Sequence, residues 1–84
     1  MFIVYGKIKC AYCDKAVSLL RSNGFDFEYH SMDSSLLELK YLSTIYNWKT
    51  VPLIIEKTDE QEFFIGGYDD LIKRMQVTIS KEND

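Results

Sequence analysis

Cys10 and Cys13 are the residues of this chain best suited to covalent chemistry, and they stand three apart in Lys9-Cys10-Ala11-Tyr12-Cys13. A thiolate is the nucleophile of disulfide exchange, and a helix N-terminus beside lysines favours that anion through unpaired N–H groups and positive charge. Cys13, one helical turn further on, has the spacing to attack a mixed disulfide formed at Cys10 and so to close a redox cycle. Two thiols fall short of a structural zinc site, which needs four ligands, and beyond them only His30 stands ready. Two cysteines also make no disulfide framework, so the pair reads as a reactive one.

Charge supports that reading. Residues 1–25 carry Lys7, Lys9, Lys15 and Arg21 against Asp14 alone, whereas residues 26–84 hold six basic and twelve acidic residues. The positive end of a chain of net charge −3 therefore holds the thiols. That net charge gives no footprint for phosphate backbones, and nucleic acid is not an expected partner. The chain of 84 residues is expected to form one domain, 1–84, and at that size needs a well-patterned core. With 46% hydrophobic and 27% charged residues, it has the composition of a globular protein that folds alone. Its apolar runs stay far short of the ~20 residues of a membrane span. The start, Met1-Phe2-Ile3-Val4-Tyr5, lacks a basic leader, so the expected location is cytoplasmic, away from membranes.

The elements that must position the thiols follow from periodicity. Phe2 to Tyr5 is uniformly apolar, as in a central strand covered on both faces (β1). After a loop over residues 6–9, Ala16, Val17, Leu19 and Leu20 recur at helical spacing up to Asn23-Gly24, a good stop for helix α1. Phe25, Phe27 and Tyr29 alternate with Asp26, Glu28 and His30, which predicts an edge strand (β2) with one buried face and His30 on the polar one. Ser35 and Glu38 have capping-box spacing, and Leu36, Leu39, Leu42, Ile45 and Tyr46 give helix α2 an apolar stripe ending near Asn47. Residues 53–55 (β3) and 63–65 (β4) flank five polar residues and suit a hairpin. Asp69-Asp70 opens a last helix (α3) with Leu71, Ile72 and Met75 inward, and residues 80–84 are expected to fray. The Leu, Ile and Phe positions are assigned to the core. Right-handed crossovers put β2 beside β1 and the hairpin on the other side, predicting a sheet of order 2-1-3-4 with helices on both faces.

This layout, with Cys-x-x-Cys at the first strand–helix junction, resembles the thioredoxin fold. Lys7, Thr50-Val51-Pro52 and Gly66-Gly67-Tyr68-Asp69-Asp70, in that order and over nearly the whole chain, narrow the resemblance to glutaredoxins of the dithiol type. Ala11 stands where proline is commoner, and Lys9 where small or hydroxylated residues are frequent. The chain lacks the Cys-Gly-Phe-Ser of monothiol relatives and the Trp-Cys-Gly-Pro-Cys of thioredoxins.

The resemblance implies an α/β fold of three layers, α/β/α, with a four-stranded mixed sheet and three helices. It implies a glutathione-dependent thiol–disulfide oxidoreductase acting as a monomer on protein disulfides and glutathione mixed disulfides. Glutathione is the reducing co-substrate, with no metal expected. Cys10 is then the nucleophile and Cys13 the resolving thiol. Tyr12 flanks glutathione, and Lys7 and Lys49 pair with its glycine carboxylate. Thr50 shapes the groove, Val51 pairs strand-like with the bound peptide, and Pro52 is cis and faces the cysteines. Gly67 lets the γ-glutamyl end approach α3, where N–H groups near Asp69 take its carboxylate and Asp70 its ammonium. Asp69 has an alternative role as helix N-cap. Trp48 either borders the groove or seats the end of α2. Two alternative functions stand beside this one: a hydrogen donor to ribonucleotide reductase recharged by thioredoxin reductase, and a glutathione-ligated [2Fe–2S] carrier dimer.

Overall fold

Alternation along the first strand organises the molecule. In the computed structural model, which describes the backbone of residues 1–83 and the side chains of residues 1–76, Phe2 and Val4 point to one face of the sheet. Ile3 and Tyr5 point to the other. The elements are β1 (Phe2–Gly6), α1 (Ala11–Ser22), β2 (Phe27–Ser31), α2 (Leu36–Tyr46), β3 (Leu53–Lys57), β4 (Glu62–Gly66) and α3 (Tyr68–Asn83). The sheet has four strands in the order β2-β1-β3-β4. β1 pairs parallel with β2 and antiparallel with β3, and β3 pairs antiparallel with β4. This is the expected mixed sheet in a three-layer α/β fold.

On the first face, Phe2, Val4 and Ile54 meet Ala16 and Leu20 of α1 and Leu71 and Met75 of α3, all buried. Full burial of an aliphatic side chain contributes roughly 1.5–3 kcal/mol, so this face carries most of the stability. On the second face, only Ile3, Leu53 and Ile55 are buried, with Tyr5, Leu42, Tyr46, Trp48 and Phe64 packed partly over them.

Helix ends follow local chemistry. Gly24 adopts φ 73°, while its N–H bonds to Arg21 O and that of Phe25 to Leu20 O, a Schellman closure of α1. Asn47 closes α2 in the left-handed region, with the Trp48 N–H on Ser43 O at 3.0 Å.

Four expectations need correction. The expected capping box of α2 does not form: the Ser35 side chain makes no cap bond, and its backbone N–H bonds to Met32 O instead. The stripe on α2 is only half covered, because Leu36 and Ile45 are more than half exposed and α2 has no buried residue. β2 buries little, since it borders the sheet: Phe27 is half-buried, and Phe25 and Tyr29 are exposed. Nor are all Leu, Ile and Phe positions core, because Ile8, Leu37 and Phe63 are exposed as well. One thin sheet with three helices lacks the layers to cover them all. The frayed end expected at 80–84 lies where side chains are outside those described; the backbone belongs to α3 up to Asn83, and Asp84 lies outside the described residues.

Candidate active site

β1 delivers the chain to a short loop at the edge of both helical layers. Lys9 takes φ 61°, a left-handed conformation that costs a non-glycine residue about 1 kcal/mol and that redirects the chain into α1. Cys10 then occupies the N-cap position with extended backbone, φ −106° and ψ 107°. Its Sγ accepts the Cys13 N–H at 3.2 Å, the role that a Ser or Asp oxygen plays in ordinary caps. A negative charge on that sulfur is therefore met by an amide at the positive end of the helix dipole. The two sulfurs are joined in a disulfide, with Cα atoms 5.2 Å apart. Cys10 is half-buried and Cys13 fully buried, so an outside reagent reaches Cys10 first.

The loop is tied down by residues that the sequence reading did not select. The Asp33 carboxylate accepts the Ile8 N–H at 2.8 Å and the Ser31 hydroxyl at 2.6 Å. The Ser31 hydroxyl, then the Ile8 N–H, hold the Asp33 carboxyl below the ordinary carboxylate range, and the Lys7 charge adds to this. The Met32 N–H bonds to Gly6 O at 2.7 Å, and the Tyr29 hydroxyl donates to Lys7 O at 3.2 Å. Burial first, then the carboxylates of Asp14 and Asp33, raise the Tyr29 phenol above its ordinary value, which keeps it a donor. Gly6 is required by space: a Cβ there would lie 2.8 Å from Cys13 Sγ and 2.9 Å from the Tyr29 hydroxyl. The only sequence signals were a glycine at a strand end and the Ser-x-Asp spacing of a local turn.

Opposite the sulfurs runs the segment 48–52. The Val51–Pro52 bond is cis, and Val51 O lies 3.9 Å from Cys10 Sγ, a contact rather than a hydrogen bond because a disulfide sulfur has no proton to give. Ser43 holds this segment at its start: its hydroxyl donates to Trp48 O at 2.6 Å. Trp48 lines the site, its ring packs edge-on against Phe64 of β4 at 5.5 Å, and its link to the end of α2 is through the backbone, whose N–H and O both bond to Ser43. Its Nε1–H is buried without an acceptor in the protein, an arrangement that costs about 1–3 kcal/mol unless water or a bound group supplies one.

Two grooves share Trp48, Thr50 and Val51. One, a cavity of about 440 Å³, adds Tyr12, Pro52, Gly67, Tyr68, Asp69 and Asp70. The other, about 270 Å³, lies along α2 and contains Lys7 and Lys49. Every residue named from the resemblance as glutathione-binding therefore lines one groove or the other. Tyr12 stands at the rim, 6.0 Å from the Tyr68 ring, with Lys15 Nζ 5.1 Å over its own ring. At α3, the Asp70 carboxylate accepts the Gly67 N–H at 3.0 Å while Gly67 O accepts the Leu71 N–H, so the cap position belongs to Gly67 and not to Asp69. This leaves Asp69 exposed and its backbone in the first turn. Gly66, at φ 121°, has no room for a side chain, because Asp70 Oδ2 lies 2.6 Å from where a Cβ would be. His30 stays outside the site, stacked on Tyr5 at 5.4 Å.

Among the described residues there is no group of three or more His, Cys, Asp or Glu that could hold a metal ion. No helix among them is long and apolar enough to cross a membrane.

Comparison with known proteins bears on this arrangement. Residues 2–59 match the family model described as glutaredoxin. A search of curated proteins finds no match to the sequence. A buckwheat glutaredoxin crystallised in complex with glutathione is similar in structure, with TM-score 0.78 at 20% identity over 92% of this chain and 69% of that one. The holo form of glutaredoxin C1 from Populus tremula x tremuloides gives 0.75 at 23% identity, over 92% and 68%. A wheat glutaredoxin gives 0.73 at 23%, over 89% and 68%. At such identities the structures speak for the fold.

Proposed function

The chain belongs to the glutaredoxin family of thiol–disulfide oxidoreductases, and on that premise we propose that it uses glutathione to reduce protein disulfides and glutathione mixed disulfides. The observation that carries the reading is the half-buried Cys10 sulfur, capped by the Cys13 N–H at 3.2 Å and facing Val51 O where the two grooves meet.

In the reduced protein, the Cys10 thiolate attacks a substrate sulfur; the substrate S–S bond breaks, and the leaving sulfur departs as a thiolate that takes up a proton. With a protein substrate, Cys13 loses its proton and attacks Cys10 Sγ, releasing the second substrate thiol and forming the Cys10–Cys13 disulfide. One glutathione thiolate then attacks Cys10, restoring the Cys13 thiol. A second attacks the resulting mixed disulfide, so two glutathiones leave as one glutathione disulfide and the electrons balance. Rate reflects both thiolate fraction and nucleophilicity, which falls with pKa, so the most acidic thiol is not the fastest attacker.

Glutathione fits by chemistry across the junction of the two grooves, its γ-glutamyl end in the larger and its glycine end in the smaller. The first-turn N–H groups of α3 suit its γ-glutamyl carboxylate, and Lys7 and Lys49 suit its glycine carboxylate. Asp70 has a competing task, since it already caps Gly67 through one oxygen. Its other oxygen remains the proposed partner of the ammonium.

A coupled assay on a small glutathione mixed disulfide tests this. Cys10→Ser should abolish turnover, and Cys13→Ser should retain it while losing protein-disulfide reduction; equal loss in both contradicts the assigned roles. Turnover driven by thioredoxin reductase, with none from glutathione, would move the reading to a hydrogen donor for ribonucleotide reductase. Asp70→Ala should weaken glutathione use by about 10- to 100-fold, as for a lost charge-assisted bond of roughly 1.5–3 kcal/mol. A purely structural Asp70 would instead show activity falling in step with melting temperature.

A further inference from the structure

We propose that the groove beside α2 docks an extended segment of a protein substrate rich in acidic and apolar side chains, next to the disulfide that Cys10 attacks. The inference rests on the thiol–disulfide reading above and adds the class of substrate. A bound glutathione ends at its glycine, whereas the chain of a protein substrate continues.

The groove continues too. From Thr50 and Val51, whose carbonyl lies 3.9 Å from Cys10 Sγ, it passes Lys7, Trp48 and Lys49 and reaches α2. There Leu36, Leu39, Lys40 and Ser43 line it, at the 0, 3, 4 and 7 spacing of a single helix face.

Charge complementarity sets the occupant. Lys7, Lys40 and Lys49 converge on this one groove in a chain with 13 acidic and 10 basic residues, and among the described residues none of the three forms an ion pair. Lys7 influences the Asp33 carboxyl only through space. One terminal carboxylate of a tripeptide does not neutralise three lysines; a run of Asp and Glu does, and steers its own approach. The apolar component is set by Leu36, 58% exposed, and Leu39, which give the groove a wall that water does not favour. A second copy of this chain is a poor occupant, because a two-fold contact on this patch would set lysines against lysines.

The test uses the whole protein and two disulfide peptides of equal length, one flanked by Asp, Glu and Leu and one by Lys and Ser. The wild type should show a kcat/KM about tenfold higher for the acidic peptide at low salt, shrinking as salt approaches ~0.5 M. Lys40→Glu, outside the glutathione-binding set, should reduce or reverse that preference while turnover of the small glutathione mixed disulfide is unchanged. Equal kcat/KM for both peptides, or a Lys40→Glu effect spread over all substrates, overturns the proposal. Failure of the small substrate with glutathione would count against the oxidoreductase reading alone, so binding is measured separately. Trp48, the single tryptophan, lines the groove, and its fluorescence should report saturable binding of an acidic peptide whose cysteines are replaced by serine. The signal should be lost in Lys40→Glu. Equal response to the basic peptide, or no response, overturns the docking, as does sedimentation showing a dimer that Lys40→Glu dissolves.

Discussion

The two faces of the sheet are built to different standards. Beneath α1 and α3, Val4, Ala16, Leu20, Ile54 and Leu71 are wholly removed from water. Under α2, the strands supply Ile3, Leu53 and Ile55, but the helix itself buries nothing fully and turns Leu36, Leu37, Tyr41 and Ile45 outward. The cysteines differ in the same sense: Cys13 is fully buried, while Cys10 is half-buried, with its sulfur 3.9 Å from the carbonyl of Val51, a residue that lines both grooves. The sealed face includes α1, which carries Cys13, and the looser one leaves the surface on which the proposed docking depends. Because interiors are closely packed, the first face should tolerate little change.

That contrast is open to direct attack. Leu20→Ala, on the sealed face, should cost about 3–5 kcal/mol of unfolding free energy by denaturant titration, whereas Leu42→Ala, half-buried on the other, should cost about 1 kcal/mol. Similar losses at both sites would erase the distinction. Gly6→Ala probes the boundary itself, where a methyl would press on Cys13 Sγ and the Tyr29 hydroxyl. We expect a loss of about 1–3 kcal/mol together with slower reduction of the Cys10–Cys13 disulfide by dithiothreitol, read from thiol release. An unaffected reduction rate would show that this spacing is irrelevant to the sulfurs.

The smallest effect concerns the exposed tether. Because the Asp33 carboxyl is held below its ordinary value in the folded protein, its stabilising bonds are fully present above the ordinary carboxylate range and fade as pH falls through the lowered value. Acid should therefore loosen the loop at Ile8 before the sealed core responds, seen as faster amide exchange at Ile8 below about pH 4. Asp33→Asn should show that fast exchange already at neutral pH.

Much of this was legible because it is local. The thiol spacing, the lysines around it, the apolar β1, the Asn23-Gly24 stop and the polar hairpin each lie within a few neighbours along the chain, and crossover handedness then ordered the strands. The less successful readings were of coverage. The stripe on α2 and the alternation in β2 are real patterns, yet periodicity marks a face as apolar without saying whether a layer lies over it.

The site divides the same way. Composition and spacing alone placed Cys10 at the start of a helix with Cys13 one turn behind it. Only the folded chain decided what surrounds that sulfur: Val51 O arrives from 41 residues away, Asp33 ties down Ile8 across 25, and Gly6 leaves space between Cys13 and Tyr29. Such contacts join residues whose separation along the chain carries no periodic signal, and they exist only once the sheet has brought its edges and loops together.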